Sequence, residues 1–387
     1  MKFFHLSDLH IGKQLHSYNL KEDQEAILSQ VVEAARRLHP DAVVIAGDIY
    51  DKQVPSAEAV TVFNCFLTEL SDIAPPISVL ITAGNHDSAR RLDYASEILD
   101  RHHIHIAGVP PIEQGEYLKK VTFQDAYGEV DFYLLPFVKP GYVRNLLDDE
   151  MEGNSYTEAV RMLLEREDID VSKRNVLVSH QFYTFGGNEP QRSDSEAVVV
   201  GGLDNVDAGV LEKFDYAALG HIHRPQQIGN SRFRYCGTLL KYSVSESEDN
   251  KHLLMVELGE KGTEPVYTAV PLSPIRDVRR LEGKFENILE EAKNKKLKND
   301  YISITVTDEV EPYQFRERLE ETYPFLLEVR VENTRTRTKM EEQEEVMDIS
   351  DPLQVFGRFF EEMQGRQMSR EEEALLKDVL EEMEGQP

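Results

Sequence analysis

The sequence predicts an α/β (α+β) protein in which two mixed β-sheets stack as a sandwich flanked by helices. Three features carry that expectation. Short β-branched runs alternate with helical patterns early in the chain, and later strand-like runs follow with little helix between them. Each early run also ends in a turn rich in Gly, Asp, Asn or His, the place where open α/β sheets commonly carry their sites.

Taken in order, residues 2–6 form a short apolar strand. Residues 23–38 have helical spacing, with Ala26, Ile27, Val31 and Ala34 on one side. Residues 42–46 are a β-branched run ending at Gly47-Asp48. Residues 56–70 are helical, and 77–83 form a strand ending at Gly84-Asn85. Later strands are expected at 133–136, 175–179, 216–219, 233–235 and 253–258. Two prolines near 270–274 mark a boundary. Beyond it, a helix at 285–295, a strand at 301–307, a helix at 312–321 and a strand at 326–331 suffice for a small α+β domain. A Thr/Arg/Lys stretch (334–339) and an acidic stretch (341–345) read as a linker. Two amphipathic helical patterns close the chain: 352–363 carries Leu353, Phe356, Phe359 and Phe360, and 370–383 carries Leu375, Leu376, Val379 and Leu380.

A chain of 387 residues exceeds one hydrophobic core, so two or three domains are expected. No leader peptide is expected, because Phe3-Phe4 runs directly into His5, Ser7 and Asp8. No apolar run approaches the roughly 20 residues that span a bilayer. Cys65 and Cys236 match no metal spacing and read as reduced core residues of a cytoplasmic protein. The formal charge of −28 argues against a nucleic-acid partner until its distribution is considered. Between Glu341 and Pro387 stand 15 carboxylates against 4 basic side chains, so much of the excess lies in the tail. Other carboxylates belong to candidate metal sites, where bound cations would offset them.

Five clusters carry the chemistry: Asp8-Leu9-His10, Gly47-Asp48, Gly84-Asn85-His86-Asp87, Ser179-His180 and Gly220-His221-Ile222-His223. A phosphodiester resists hydrolysis because its anionic centre repels hydroxide and its alkoxide leaves poorly. Two metals about 3.5–4 Å apart answer both problems. Such a pair wants Asp, Asn and His ligands and one bridging oxygen, for which Asp48 is the natural candidate. Asp8 and His10 can turn towards one ion, and Asn85 offers an amide oxygen to the other. His180, His221 and His223 complete the set. His86 is then free to act as a general acid, with Asp87 a candidate to orient its imidazole.

In this order and with these glycines, the clusters resemble the calcineurin-like metallophosphoesterase superfamily. The longer context, Phe4 to Gly12, Ala46 to Asp51, Thr82 to Ser88, Gly220 to Pro225 and Tyr235 to Ser243, is similar to its branch of nuclease subunits from bacterial DNA repair complexes. The resemblance spans nearly the whole chain. It implies one metal held by Asp8, His10, Asp48 and His223, and a second held by Asp48, Asn85, His180 and His221. It also implies His86 as the catalytic histidine and manganese as the ion. Asp51 stands where some relatives have a second functional histidine, so its role stays open. The implied organisation is a nuclease domain at 1–272, a DNA-capping domain at 273–335, a linker at 336–350, and a helical tail at 351–387 that grips a coiled-coil ATPase. The implied activity is exonuclease on double-stranded ends, 3′ to 5′, and endonuclease on single strands or hairpins, by a homodimer within a heterotetramer. ATP would bind the partner, since the chain has no GxxxxGK[ST] loop.

Other features invite plainer readings. A single His at a strand end is more often a core or surface residue than a ligand. Arg101-His102-His103-Ile104-His105, the densest histidine cluster, matches no ligand motif and reads as structural or solvent-exposed. His5, His16 and His39 do too, although Lys13 and His16 lie close enough to Asp8-His10 to touch substrate. Arg90 and Arg91 suit either DNA phosphates or a solvated helix start. Val60, Phe63, Phe66 and Leu67 suit either core or a homodimer contact. The aromatic tail residues suit a partner surface. Two rivals share the clusters: a phosphodiesterase for cyclic nucleotides or other small diesters, and a scaffold without catalysis. The first leaves the last 115 residues or so unexplained, and the second is disfavoured because no ligand is missing.

Overall fold

The computed structural model describes residues 1–143, 146, 155–196, 204–310, 312–334, 356–357, 360, 366–369, 372–373 and 376. It divides into two compact units. One comprises residues 1–280 with 294–303 and 323–327; the other comprises 281–293, 304–322 and the chain from 328 onwards.

The first unit is a two-sheet sandwich. Its first sheet contains β1 (Lys2–Leu6), β2 (Ala42–Ala46), β3 (Ser78–Thr82) and β4 (Ile104–Ala107). The second contains β5 (Lys119–Asp125), β6 (Gly128–Leu135), β7 (Arg174–His180), β8 (Tyr216–Gly220), β9 (Gln226–Ile228) and β10 (Asn230–Tyr235). Finally β11 (His252–Glu257) and β12 (Val266–Pro271) return to the first sheet, giving the orders β12-β11-β1-β2-β3-β4 and β9-β10-β8-β7-β6-β5. The β1, β2, β3 and β4 pairings are parallel, as are β6 to β7 and β7 to β8.

Strand β2, Ala-Val-Val-Ile-Ala, is buried throughout because both of its faces are covered. Val43 and Ile45 join the core beneath the helices, while Ala42, Val44 and Ala46 join the layer between the sheets. Burial on two faces is why such a strand reads as a continuous apolar run rather than an alternation. In the inter-sheet layer Phe3, Leu80, Phe132, Val176, Val178 and Tyr216 meet. Helix α1 (Lys21–Leu38) buries Ile27, Leu28, Val31, Val32 and Ala35 against the outer face of the first sheet. Glu22 and Asp23 in its first turn and Arg36 and Arg37 in its last complement the helix dipole. Helix α2 (Ala57–Ser71) starts where the Ser56 side chain accepts a hydrogen bond from the Ala59 amide. On the far side, α3 (Tyr156–Arg166) buries Val160, Leu163 and Leu164 against the second sheet.

One expectation changes, and two readings gain detail. Cys236 is buried, but Cys65 is exposed, because the buried stripe of α2 is Ala59, Val62, Phe63, Phe66 and Leu70. On that same helix Phe63 and Phe66 are core, whereas Val60 is 45% exposed. Strand β4 also runs through the histidine cluster, where His105 pairs with Asp100 at 2.9 Å and His102 and His103 face solvent.

Residues 278–331 supply a three-stranded sheet in the order β13 (Val278–Gly283), β14 (Tyr301–Val306), β15 (Leu326–Val331). In the second unit, α4 (Phe285–Glu291) and α5 (Phe315–Thr322) bury Phe285, Ile288, Phe315 and Leu319, with the Arg318 guanidinium 4.5 Å from the centre of the Phe285 ring. The helix expected at 312–321 therefore begins three residues later. The expected linker at 336–350 lies outside the described residues, as do Leu353, Phe359, Leu375, Val379 and Leu380 of the closing helical patterns. Among the described residues no helix is long and apolar enough to cross a membrane.

Ile81 is fully buried in the core between α1, α2 and the first sheet. Ile81→Ala should lower stability by about 2–5 kcal/mol, whereas Val171→Ala, 58% exposed, should stay within about 0.5 kcal/mol. Urea denaturation of both variants checks the contrast.

Candidate metal centre

All five clusters reach one place because the strands that precede them end in register. His180 and Gly220 are paired across β7 and β8, as are Leu6 with Ile45 and Ala46 with Thr82 in the first sheet. The turns that follow leave ordinary backbone geometry. Asp8, His10, Asp48 and His221 all have positive φ, of 53°, 42°, 50° and 101°. Such conformations cost of order 1–3 kcal/mol each and persist where the surroundings enforce them. Two glycines permit the crowding. A Cβ on Gly84 would lie 2.1 Å from Asp48 Oδ1, and one on Gly47, where φ is +84°, would lie 2.3 Å from His180 Nδ1.

The side chains form two groups with Asp48 between them. In one group, His10 Nε2 and His223 Nε2 face each other at 3.1 Å, with Asp8 Oδ1 4.0 Å from the latter. In the other, Asn85 Oδ1 lies 3.1 Å from His180 Nε2 and 2.9 Å from His221 Nδ1. Asp48 Oδ2 is 3.2 Å from His180 Nε2 and 3.7 Å from His10 Nε2, within reach of both groups. The Nδ1–H of His180 donates to the Ala46 carbonyl at 2.7 Å, which aims Nε2 inwards.

His86 stands beside this set. Its amide donates to Asp48 Oδ1 at 2.8 Å, its ring centre is 4.9 Å from that of His10, and its Nδ1 bonds the Asp51 carbonyl at 3.0 Å. Asp87 does not orient it. The Asp87 carboxylate instead accepts from the amides of Ile49, Tyr50 and Gly84, and so ties the Asp48 and Asn85 turns together. The Asp51 side chain binds Lys13 Nζ at 2.9 Å, while His16 is exposed. Residues outside the five clusters also brace the site. The Gln24 amide nitrogen donates to the carbonyls of Leu9 and His10, and its oxygen accepts from the Gly12 amide. On a helix of ordinary amphipathic pattern, a glutamine on the buried side is the only sequence signal for this role.

The electrostatics favour cations. Burial drives His10 and His221 down to about 3, and His223 well below its ordinary value, so these three rings are neutral. Burial would lower His180 as well, but the adjacent Asp48 and Asp8 carboxylates outweigh it and raise His180 to about 9. Asp8 is raised, chiefly by burial and also by Asp48, while His180 opposes the shift. Burial would raise Asp48 too, but the charge and hydrogen bond of His180 hold it far below the usual carboxylate range. Two buried imidazole nitrogens 3.1 Å apart cannot both carry hydrogens. Lone pairs that converge beside buried carboxylates suit divalent metal ions.

Residues 1–225 match the model for calcineurin-like phosphoesterases, and 274–364 match the type 5 capsule protein repressor C-terminal domain. A protein of Staphylococcus epidermidis, named as the D subunit of nuclease SbcCD, is 33% identical over 330 residues, covering 84% of each chain. Its namesake from Staphylococcus saprophyticus is 32% identical over 305 residues, 78% of this chain and 77% of that one. Among solved structures, GAP50, titled the anchor in the inner membrane complex of Plasmodium, aligns at a TM-score of 0.40 and 12% identity over 70% of this chain and 89% of that one. The chain belongs to the calcineurin-like phosphoesterases, and its sandwich is the fold of that family. Within them it belongs to the family of D subunits of the SbcCD nuclease.

The raised value of His180 sets a pH dependence. Its proton stabilises the metal-free chain fully below about 6.5, and that contribution is lost as pH rises through about 9. A metal ligated by His180 must displace the proton, so affinity should rise about tenfold per pH unit per displaced proton between pH 7 and 9. Calorimetric titration of the metal-free chain with Mn²⁺ in two buffers of different ionisation enthalpy should give different heats. Equal heats would show that no proton leaves.

Proposed function

We propose that the chain is the nuclease subunit of an SbcCD-type complex and hydrolyses DNA phosphodiesters at a dinuclear manganese centre. The observation that carries this reading is the placement of Asp48 Oδ2 within 3.7 Å of imidazoles from both donor groups, the position a bridging ligand requires. Asp8, His10, Asp48 and His223 would hold one ion, and Asp48, Asn85, His180 and His221 the other. Two bound ions supply Lewis acidity, polarising the phosphoryl group and lowering the pKa of a water.

The chain's own residues do the rest. Asp87 holds the Asp48 and Asn85 turns at a fixed separation through three backbone bonds. The Asp51 carbonyl takes the Nδ1–H of His86; in the imidazolium form Nε2 carries the second proton and gives it to the departing oxygen, leaving neutral imidazole. Lys13, held by Asp51 at the edge of the site, is a cation for a neighbouring phosphate.

The relatives' name supports an SbcC-type partner subunit, which is proposed to be the ATPase. The tail at 351–387 is proposed as its docking segment, 273–335 as the domain that caps DNA, and 1–272 as the nuclease domain. A homodimer within a heterotetramer, acting in the cytoplasm in DNA repair, replication and recombination, completes the proposal. The proposed activities are ATP-dependent 3′ to 5′ exonuclease on double strands and endonuclease on single strands and hairpins.

With Mn²⁺, SbcC partner and ATP, the protein should cut a hairpin DNA. Turnover of a small diester without any DNA cleavage would contradict the nuclease reading. His86→Ala should keep both Mn²⁺ ions and lose about 10²–10⁴-fold in rate; loss of the metals as well would reassign His86 to ligation. Removing the residues after Met347 should abolish co-purification with the ATPase and leave Mn²⁺-dependent cleavage of single strands.

A further inference from the structure

His223 is held by more than its neighbours in the metal centre. Its backbone amide donates to Glu196 Oε1 at 2.9 Å, and its carbonyl accepts from Lys251 Nζ at 2.7 Å. Its ring Nδ1 lies 2.6 Å from Ser195 Oγ, which lies 2.7 Å from Glu246 Oε1. Glu246 is fully buried, and its other oxygen is 2.6 Å from Lys251 Nζ. The Ser243 hydroxyl also donates to Glu246 Oε1, at 2.8 Å.

The direction of these bonds follows from counting hydrogens. A carboxylate paired with an ammonium only accepts, and a serine hydroxyl has a single hydrogen to give. At 2.7 Å from Glu246, the Ser195 hydrogen goes to the carboxylate. Ser193 Oγ, 2.8 Å from Ser195 Oγ, can give its own hydrogen to Glu196 Oε1 or to Ser195 and requires none in return. Towards His223, Ser195 can therefore only accept, which places the ring hydrogen on Nδ1. Nε2 is left with its lone pair in the cluster, 3.1 Å from His10 Nε2. With the opposite polarity, the hydrogen would sit on Nε2 and block a metal.

We propose that Glu246 and Ser195 are positioning residues that fix the tautomer and ring orientation of His223, and so control loading of the ion that His223 shares with His10 and Asp8. The inference rests on the dinuclear reading above. It assigns a role to two residues outside the five sequence clusters, one following β7 and the other between β10 and β11.

The test uses the full chain and Mn²⁺ titrations followed by calorimetry and electron paramagnetic resonance. Ser195→Ala should weaken one of the two Mn²⁺ sites by about 10–100-fold, the usual cost of losing such a partner. It should leave the other site and the melting midpoint of the metal-free chain unchanged. Ser195→Thr, which keeps the hydroxyl, should restore binding. Imidazole ¹⁵N shifts of the metal-free chain should report hydrogen on Nδ1 of His223 in the wild type and a mixture of tautomers in Ser195→Ala. Ser195→Ala binding both ions as tightly as the wild type would overturn the proposal. So would equal weakening of both sites with a lowered midpoint that Ser195→Thr does not repair. A wild-type chain that binds fewer than two Mn²⁺ ions would overturn the dinuclear reading itself, a result distinct from either.

Discussion

The structure depends on one constraint: a buried carboxylate, Asp48, must lie within a few ångströms of imidazoles from both sheets while the surrounding backbone stays paired. Strands of equal reach deliver the residues to one edge of the sandwich. Four of the seven donors then adopt left-handed backbone, and the glycines before Asp48 and Asn85 clear space that any Cβ would fill. These features cost stability locally, and the large apolar layers on both faces of each sheet offset them. The chemistry is thus located by the fold but specified by the loops.

Much of this was legible in the sequence. The runs at 2–6, 42–46 and 77–83 are short, apolar and followed by turn residues, so strands and site could be placed together. The donor residues were readable because Asp, Asn and His are chemically marked and their glycines recur beside them. What stayed hidden was the support around them. Gln24 reaches the Leu9 and His10 carbonyls from a helix, and Asp87 ties two turns rather than steering His86. Proximity in sequence suggested His86 as the partner of Asp87, but three backbone amides compete for that carboxylate and hold it. Strand β5 escaped notice because it is half exposed along its length, and β13 because its Val-Arg-Arg-Leu-Glu-Gly sequence shows only two buried side chains.

The acidic composition has a local counterpart. At the centre, burial and then the neighbouring Asp48 carboxylate raise Asp8, and the two carboxylates together let His180 keep its proton against the effect of burial. That arrangement suits cations and places the positive charge needed to meet a phosphate in the ions rather than in a basic surface. A net charge of −28 is therefore compatible with membership of a nuclease family.

The central claim is that Asp48 is shared by two ions. Crystals soaked in Mn²⁺ and measured at the manganese absorption edge test it directly. The account predicts two anomalous peaks about 3.5–4 Å apart, one beside His10 and His223, the other beside Asn85, His180 and His221, and both in contact with Asp48. A single peak, or two peaks of which only one touches Asp48, would contradict it.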